Sequence, residues 1–470
     1  MNTVSLHPAS IKLPLAFILT GLLSLILGIG WLVGNPSILA TYHYNQYVIA
    51  VTHLFVLGWL CSVVMGAMYQ LVPVALETKL HSEKLAWLQL AFHIIGAIGM
   101  VWMFRVWNMK QVGHFGCVLA IGVGLFVYNI TRTLRRVPKW NTTASAIAAA
   151  ITWLSIAIFA GLCIAAAKCT YSADLEGEGA TPPAGAVGAL VACLRSVALF
   201  ARHFDALNAM HAHAHLGAVG CFTMLIVGIS YKLIPMFTLS EIQSRRRAAL
   251  SLVLLNLALA GSFVTILVRS PWRLGFALLG LVALSIYGWE LRAILHARKR
   301  RPLDWGIKYF LTAVALLLLT SVLAAVLSWP ALPANPFTGQ LENLYGFLGL
   351  LGSISFGVMG MFYKIVPFLV WFGRYSTQIG LKKVPALADM YSTRLQAGGY
   401  WSFLAGLCVT IPAILFSSEA FTRVGCSLLA LSVASLAVNV GMILTHFAGP
   451  RPQPLSSSSP STQALEPKPA

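Results

Sequence analysis

One stretch of sequence returns three times in this chain, always inside a long apolar run, and nothing else constrains the fold as strongly. His53-Leu-Phe-Val-Leu-Gly58 continues through Gly66 and Tyr69 to Pro73. His215-Leu-Gly-Ala-Val-Gly220 continues through Gly228 and Tyr231 to Pro235, and the offset is 162 residues both at the histidines (215 − 53) and at the prolines (235 − 73). A third copy runs from Phe347 through Gly352, Gly360 and Tyr363 to Pro367. It keeps the glycines, the tyrosine and the proline, and has phenylalanine where the others have histidine.

The surrounding composition places these stretches in lipid. The chain is 58% hydrophobic and only 10% charged, against roughly 25% charged in a soluble chain. Apolar runs of about 20 residues fall near 13–34, 47–76, 85–106, 112–131, 146–169, 207–236, 247–268, 274–296, 307–329, 342–370, 398–417 and 421–447. The first is long and has no small-residue cleavage site after it, so it reads as a span and not as a signal peptide. The motif helices, near 47–76, 207–236 and 342–370, are the second, sixth and tenth of these runs. Every fourth span therefore repeats. This predicts an all-α integral membrane domain over 1–448, with twelve transmembrane helices in three pseudo-symmetric sets of four. The Pro/Ser-rich segment 449–470 reads as a disordered cytoplasmic tail. The long loop near 170–206 holds an apolar stretch, 185–200, that suggests a re-entrant or interfacial helix.

The repeated residues have mechanical readings. Glycines at 58, 66 and their equivalents let another helix approach closely. Prolines 73, 235 and 367 end or bend their helices. Tyrosines 69, 231 and 363 lie four residues earlier, on the same face near the headgroups.

A net charge of +19 could signal nucleic acid, but its distribution argues otherwise. Arg132, Arg135, Arg136 and Lys139, then Arg245 to Arg247, then Arg298 to Arg301, then Arg374, Lys382 and Lys383 occupy alternate loops, while 35–46 and 330–341 contain no Lys or Arg. This is the positive-inside bias. It predicts a multi-pass protein of a bacterial-type cytoplasmic membrane, with both termini cytoplasmic and with lipid, not nucleic acid, against its basic loops. The eight cysteines form no C-x-x-C pair and read as small core residues.

Of the twelve histidines, His7, His81, His114, His296 and His446 lie in tails, loops or span ends. His93 is alone on its helix and reads as a core hydrogen-bonding group, while His43 and His203 precede spans two and six without a clear role. His53, His211, His213 and His215 remain. An imidazole inside the membrane is expensive unless it is paired or used. At 100° per residue, His211 and His215 share a helix face and His213 points nearly opposite, so one helix can serve two sites. Neutral imidazoles suit the axial positions of a haem iron, and also copper.

With these residues the chain resembles subunit I of the haem-copper oxidase superfamily, particularly its cbb3-type and nitric-oxide-reductase branches, and the divergent NnrS-type branch linked to nitric-oxide metabolism. His213-Ala-His215 leading to Tyr231-Lys-Leu-Ile-Pro235 looks like the family's His-x-His helix, and His53 matches the helix-two ligand of the low-spin haem. The resemblance implies three arcs of four helices and haem, b-type, on His53, His213 and His215. It also implies metal ligation among His53, His211, His213 and His215, copper as a possible second cofactor, and a c-type cytochrome or other electron-donor subunit as partner. The departures are specific. The family carries His-x-His on helix ten, where this chain has Phe347. Span seven has no histidine, no histidine within a span is followed by the x-x-x-Tyr of the cross-linked oxidase tyrosine, and Glu290 is the main carboxylate within a span. These imply an incomplete copper site.

The expected function is thus haem binding with electron transfer or small-gas (O2 or NO) redox chemistry of an oxidoreductase type. A multi-pass transporter or copper/zinc permease is the alternative, as is a non-catalytic haem sensor or scaffold. Transporters commonly show twofold inverted repeats, whereas all three copies here run in one direction, which favours the redox reading.

Overall fold

The computed structural model describes residues 11–176 and 186–448. Twelve helices among them are long and apolar enough to cross a membrane: Lys12–Gly34, Gln46–Ala75, Glu83–Arg105, Met109–Leu134, Thr142–Cys169, Ala206–Thr238, Arg245–Leu267, Arg273–His296, Trp305–Leu327, Pro336–Gln378, Thr393–Leu415 and Glu419–Ala448. They are numbered here as spans one to twelve. There is no strand among the described residues. In lipid a helix satisfies its own backbone polar groups, which explains the all-helical solution. Span ten starts earlier than hydropathy suggests, because Asn335 caps it by accepting the Thr338 N–H at 2.9 Å. The apolar stretch near 185–200 forms a helix, Ala186–Ala201, packed along span five. The tail predicted at 449–470 lies outside the described residues.

Each set of four spans follows one plan. The first span lies against the motif helix, one on two, five on six and nine on ten, and the third and fourth spans form a hairpin. The sets join through spans four and five, eight and nine, and one and twelve, so the ring closes. The third motif helix touches the other two near the centre.

Glycine sets the first of these contacts in every set. A Cβ on Gly228 would lie 2.0 Å from the Cβ of Ala146 in span five. On Gly66 it would lie 2.9 Å from the Pro14 carbonyl oxygen, and on Gly360 2.8 Å from that of Gly306. A polar latch also recurs at the proline end. Ser82, Ser244 and Ser392 cap the third span of each set by accepting the N–H of Leu85, Arg247 and Leu395. Their own N–H groups donate to Asn129 at 3.0 Å, Glu290 at 2.8 Å and Asn439 at 2.9 Å on the fourth spans.

The motif helices share a distortion that hydropathy cannot reveal. Each widens into a π-helical segment, Leu54–Cys61, Leu216–Thr223 and Leu348–Ser355. The segments begin directly after His53, His215 and Phe347, the first position of each sequence copy. Hydroxyls support the wide turns by donating five residues back: Ser62 to Leu57 at 3.4 Å, Thr223 to Ala218 at 2.9 Å and Ser353 to Leu348 at 3.0 Å. Such segments are rare and occur mostly where function demands an altered register. The first two motif helices stop shortly after Pro73 and Pro235, at Ala75 and Thr238, whereas the third continues past Pro367 to Tyr375.

An apolar cavity of about 90 Å³ lies between the three motif helices, lined by residues such as Val64, Met68, Ile229, Met361 and Phe362. None of its lining residues is titratable.

The glycine contacts make a direct prediction. Gly228→Ala forces span six away from span five and should cost about 1–3 kcal/mol, the usual range for overpacking. Gly124→Ala, where a Cβ meets nothing within 4 Å, should leave the melting temperature in detergent unchanged. Equal melting temperatures for the two variants would refute the close-contact role.

Candidate functional site

The chemistry gathers at the end of the bundle opposite the prolines, where the motif helices begin. Asx side chains cap all three: Asn45 accepts the N–H of Tyr47, Asp205 those of Leu207 and Asn208, and Asn335 that of Thr338. One turn or more inside these caps, two repeat-equivalent histidines adopt the same state. His53 Nδ1 lies 2.7 Å from the Ile49 carbonyl and His215 Nδ1 lies 2.7 Å from the His211 carbonyl. A carbonyl only accepts, so each Nδ1 carries the hydrogen and each Nε2 keeps its lone pair. That is the tautomer a metal ligand requires.

The three histidines of span six diverge. His215 turns to span ten, where its Nε2 accepts from the Tyr345 hydroxyl at 3.0 Å and the two rings stack with centroids 5.7 Å apart. His211 also faces span ten. His213 points toward span five; its ring lies on Gly161, where a Cβ would come within 3.0 Å of Cε1. Its Nδ1 is buried without a hydrogen-bond partner, and the ring is within electrostatic reach of His53 and beside the Ala157 carbonyl. The structure therefore turns His213 to span five and gives His215 to Tyr345. The His53 ring stacks near Phe104 of span three, with centroids 4.4 Å apart.

A second group lies nearer the surface. His43 Nε2 is 2.7 Å from His211 Nε2 and 4.0 Å from Glu342 Oε2. Tyr42 donates its hydroxyl to Glu342 Oε2 at 3.1 Å, and its ring lies 4.3 Å from that of His43. Burial, and then the Glu342 carboxylate, push the Tyr42 hydroxyl up to about 12, so it remains a donor. Burial also lowers the pKa of His43, against the opposing pull of Glu342 and the Asn343 hydrogen bond. His43, Glu342 and Tyr345 were not among the residues singled out in the sequence. The available signal was positional, since His43 sits just before span two, and Glu342 and Tyr345 lie in the first three turns of span ten.

Other sequence candidates settle into structural roles. His93 is buried, with Nε2 3.1 Å from both the Ser62 hydroxyl and the Leu57 carbonyl, and so braces the first π segment. His446 pairs with Tyr375 and His114 with Gln111. Cys61, Cys221 and Cys426 are buried as expected, but Cys117, Cys193 and Cys408 face outward. Glu290 is fully buried and fully used: it accepts from the N–H groups of Gln243 and Ser244 and from Arg247 Nε at 2.7, 2.8 and 2.7 Å.

No protein-family model matches this chain, and no curated protein matches its sequence. Solved structures do match. The cryo-electron-microscopy structure of a haem-copper terminal oxidase dimer superposes with a TM-score of 0.62, covering 94% of this chain and 84% of that one at 11% identity. The fold is that of a haem-copper terminal oxidase. On this oxidase fold the cofactor to test is haem, whose iron takes neutral imidazoles as axial ligands. His53, with its Nε2 lone pair, and His213, with a buried Nδ1 that has no hydrogen-bond partner, are donors of that chemical kind.

Glu290 supplies a stability test. Arg247→Leu leaves the carboxylate buried and unpaired and should cost about 3–5 kcal/mol. Adding Glu290→Gln should restore more than half of the lost thermal stability, because the amide oxygen still accepts both backbone N–H groups. A double variant as unstable as the single one would show that the ion pair is not the operative contact.

Proposed function

We propose that this chain is a haem-binding membrane protein, with a b-type haem held by His53 of span two and His213 of span six, and that it serves electron transfer or small-gas (O2 or NO) redox chemistry. One observation carries the reading. The His53 Nδ1–H is committed to the Ile49 carbonyl, so Nε2 keeps its lone pair, while the His213 ring of span six carries a buried Nδ1 without a hydrogen-bond partner. Bound there, a haem would supply a one-electron couple. The chain's own residues orient the two imidazoles, and the missing side chain at Gly161 gives the His213 ring its room.

Two observations favour electron transfer or sensing over oxygen reduction by this chain alone. Span seven, Arg245–Leu267, has no histidine to complete a copper site. The buried carboxylate Glu290 is committed to Arg247 and two backbone N–H groups and is not free to relay protons. The basic proline end would face the cytoplasm with both termini. A c-type cytochrome or another donor subunit would then approach the histidine end.

The test is a reduced-minus-oxidised optical spectrum of detergent-purified protein with pyridine haemochrome quantitation. Wild type should show haem bands that His53→Ala and His213→Ala each abolish and His215→Ala retains. Haem-free protein from a haem-replete host would overturn the proposal and point to a metal or solute transporter.

A further inference from the structure

We infer that His43, His211 and Glu342 form a binding site for a single Zn2+ or Cu2+ ion at the histidine end of the bundle. One ligand comes from each of the three sets of spans: His43 from the loop before span two, His211 from span six and Glu342 from span ten. Their ligand atoms all lie within 4.8 Å of one another. Residues so far apart in the chain converge here only because the three sets close into a ring.

The neighbours prepare these atoms for a cation. Asn343 Nδ2 donates to the Thr41 carbonyl and to Gln340 Oε1, both at 2.7 Å. That fixes the amide orientation and turns Oδ1 to His43 Nδ1 at 3.1 Å. An amide oxygen only accepts, so His43 Nδ1 carries the hydrogen and Nε2 presents its lone pair toward His211 and Glu342. A histidine held through its second nitrogen in this way is the usual support of a metal ligand. Tyr42 steadies one oxygen of Glu342 by donating to it. A simple histidine–histidine hydrogen bond would need neither the carboxylate nor the oriented amide.

Two imidazoles and a carboxylate select zinc or copper over calcium or magnesium, which prefer oxygen ligands throughout. With bonds of about 2.0–2.2 Å, the nitrogens of His43 and His211 need only move apart slightly from their present 2.7 Å. His53 and His213 contribute nothing to this site, so it stands or falls separately from haem binding.

The experiment uses the full chain in detergent, stripped with chelator and dialysed, then titrated with ZnCl2 or CuCl2 alone, with bound metal counted after gel filtration. Wild type should take up one ion per chain, and the Cu2+ form should show hyperfine coupling to two nitrogens by electron paramagnetic resonance. Glu342→Gln, which preserves shape, and His43→Ala should each weaken binding at least about tenfold, and Asn343→Leu by roughly 10–100-fold. His53→Ala should keep wild-type affinity while losing haem. Absence of a stoichiometric ion with either metal, or unchanged affinity in Glu342→Gln and His43→Ala, would overturn the site.

Discussion

Close approach of helix to helix at one glycine per set is the contact on which the bundle depends. Lipid tails are as apolar as leucine, so burying side chains against another helix brings little hydrophobic gain inside a membrane. What remains is dispersion and shape, and both reward backbones that come near each other. Gly66, Gly228 and Gly360 permit that approach, and each is met by the backbone or a Cβ of the preceding span. The same glycine does this in every set, so each motif helix meets the preceding span at the same residue of the repeat. The histidine end then inherits its geometry from contacts made well below it.

The π segments convert this regular frame into a site. A helix that widens for eight residues after His53, His215 or Phe347 changes the register between the two halves of the span. The half above can therefore point its side chains independently of the half below, which is locked by glycine, tyrosine and proline. Serine and threonine hydroxyls take up carbonyls five residues back, so the distortion leaves little polar surface unsatisfied in lipid.

Hydropathy was enough to place all twelve spans, because a membrane crossing demands a long apolar run and tolerates few charges. The three sets were legible for a different reason: glycine and proline have no substitute at a close contact or a helix end, so the copies keep them. The π segments were not legible, since leucine, glycine and valine suit an α-helix and a π-helix equally. The histidines of span six announced themselves by their cost in lipid, yet periodicity alone could not decide which one meets His53. Repeat equivalence favoured His215, whose Nε2 instead accepts from the Tyr345 hydroxyl, and the direction of the His213 ring onto Gly161 has no signature in the sequence. His43 and Glu342 were hidden altogether. They lie near span ends, where histidine and glutamate are ordinary, and only closure of the ring brings them to His211.

Architecture and chemistry divide along each motif helix. From the π segment down the three copies agree: a glycine within it, then glycine, tyrosine and proline below it. Above it no position is shared by all three at the residues that carry chemistry, with Ile49, His211 and Asn343 at one, Val51, His213 and Tyr345 two residues on, and His53, His215 and Phe347 two further on. A perfectly symmetric bundle would place identical imidazoles around a common axis, where they would compete for the same space and partners. Breaking the symmetry gives each histidine a different neighbour. His53 lies against Phe104, His213 against Gly161, His215 receives the Tyr345 hydroxyl, and His43 sits between His211 and Asn343, which occupy the same position in two different copies. The repeat thus fixes where three helix ends converge, and the differences between its copies determine what those ends can hold.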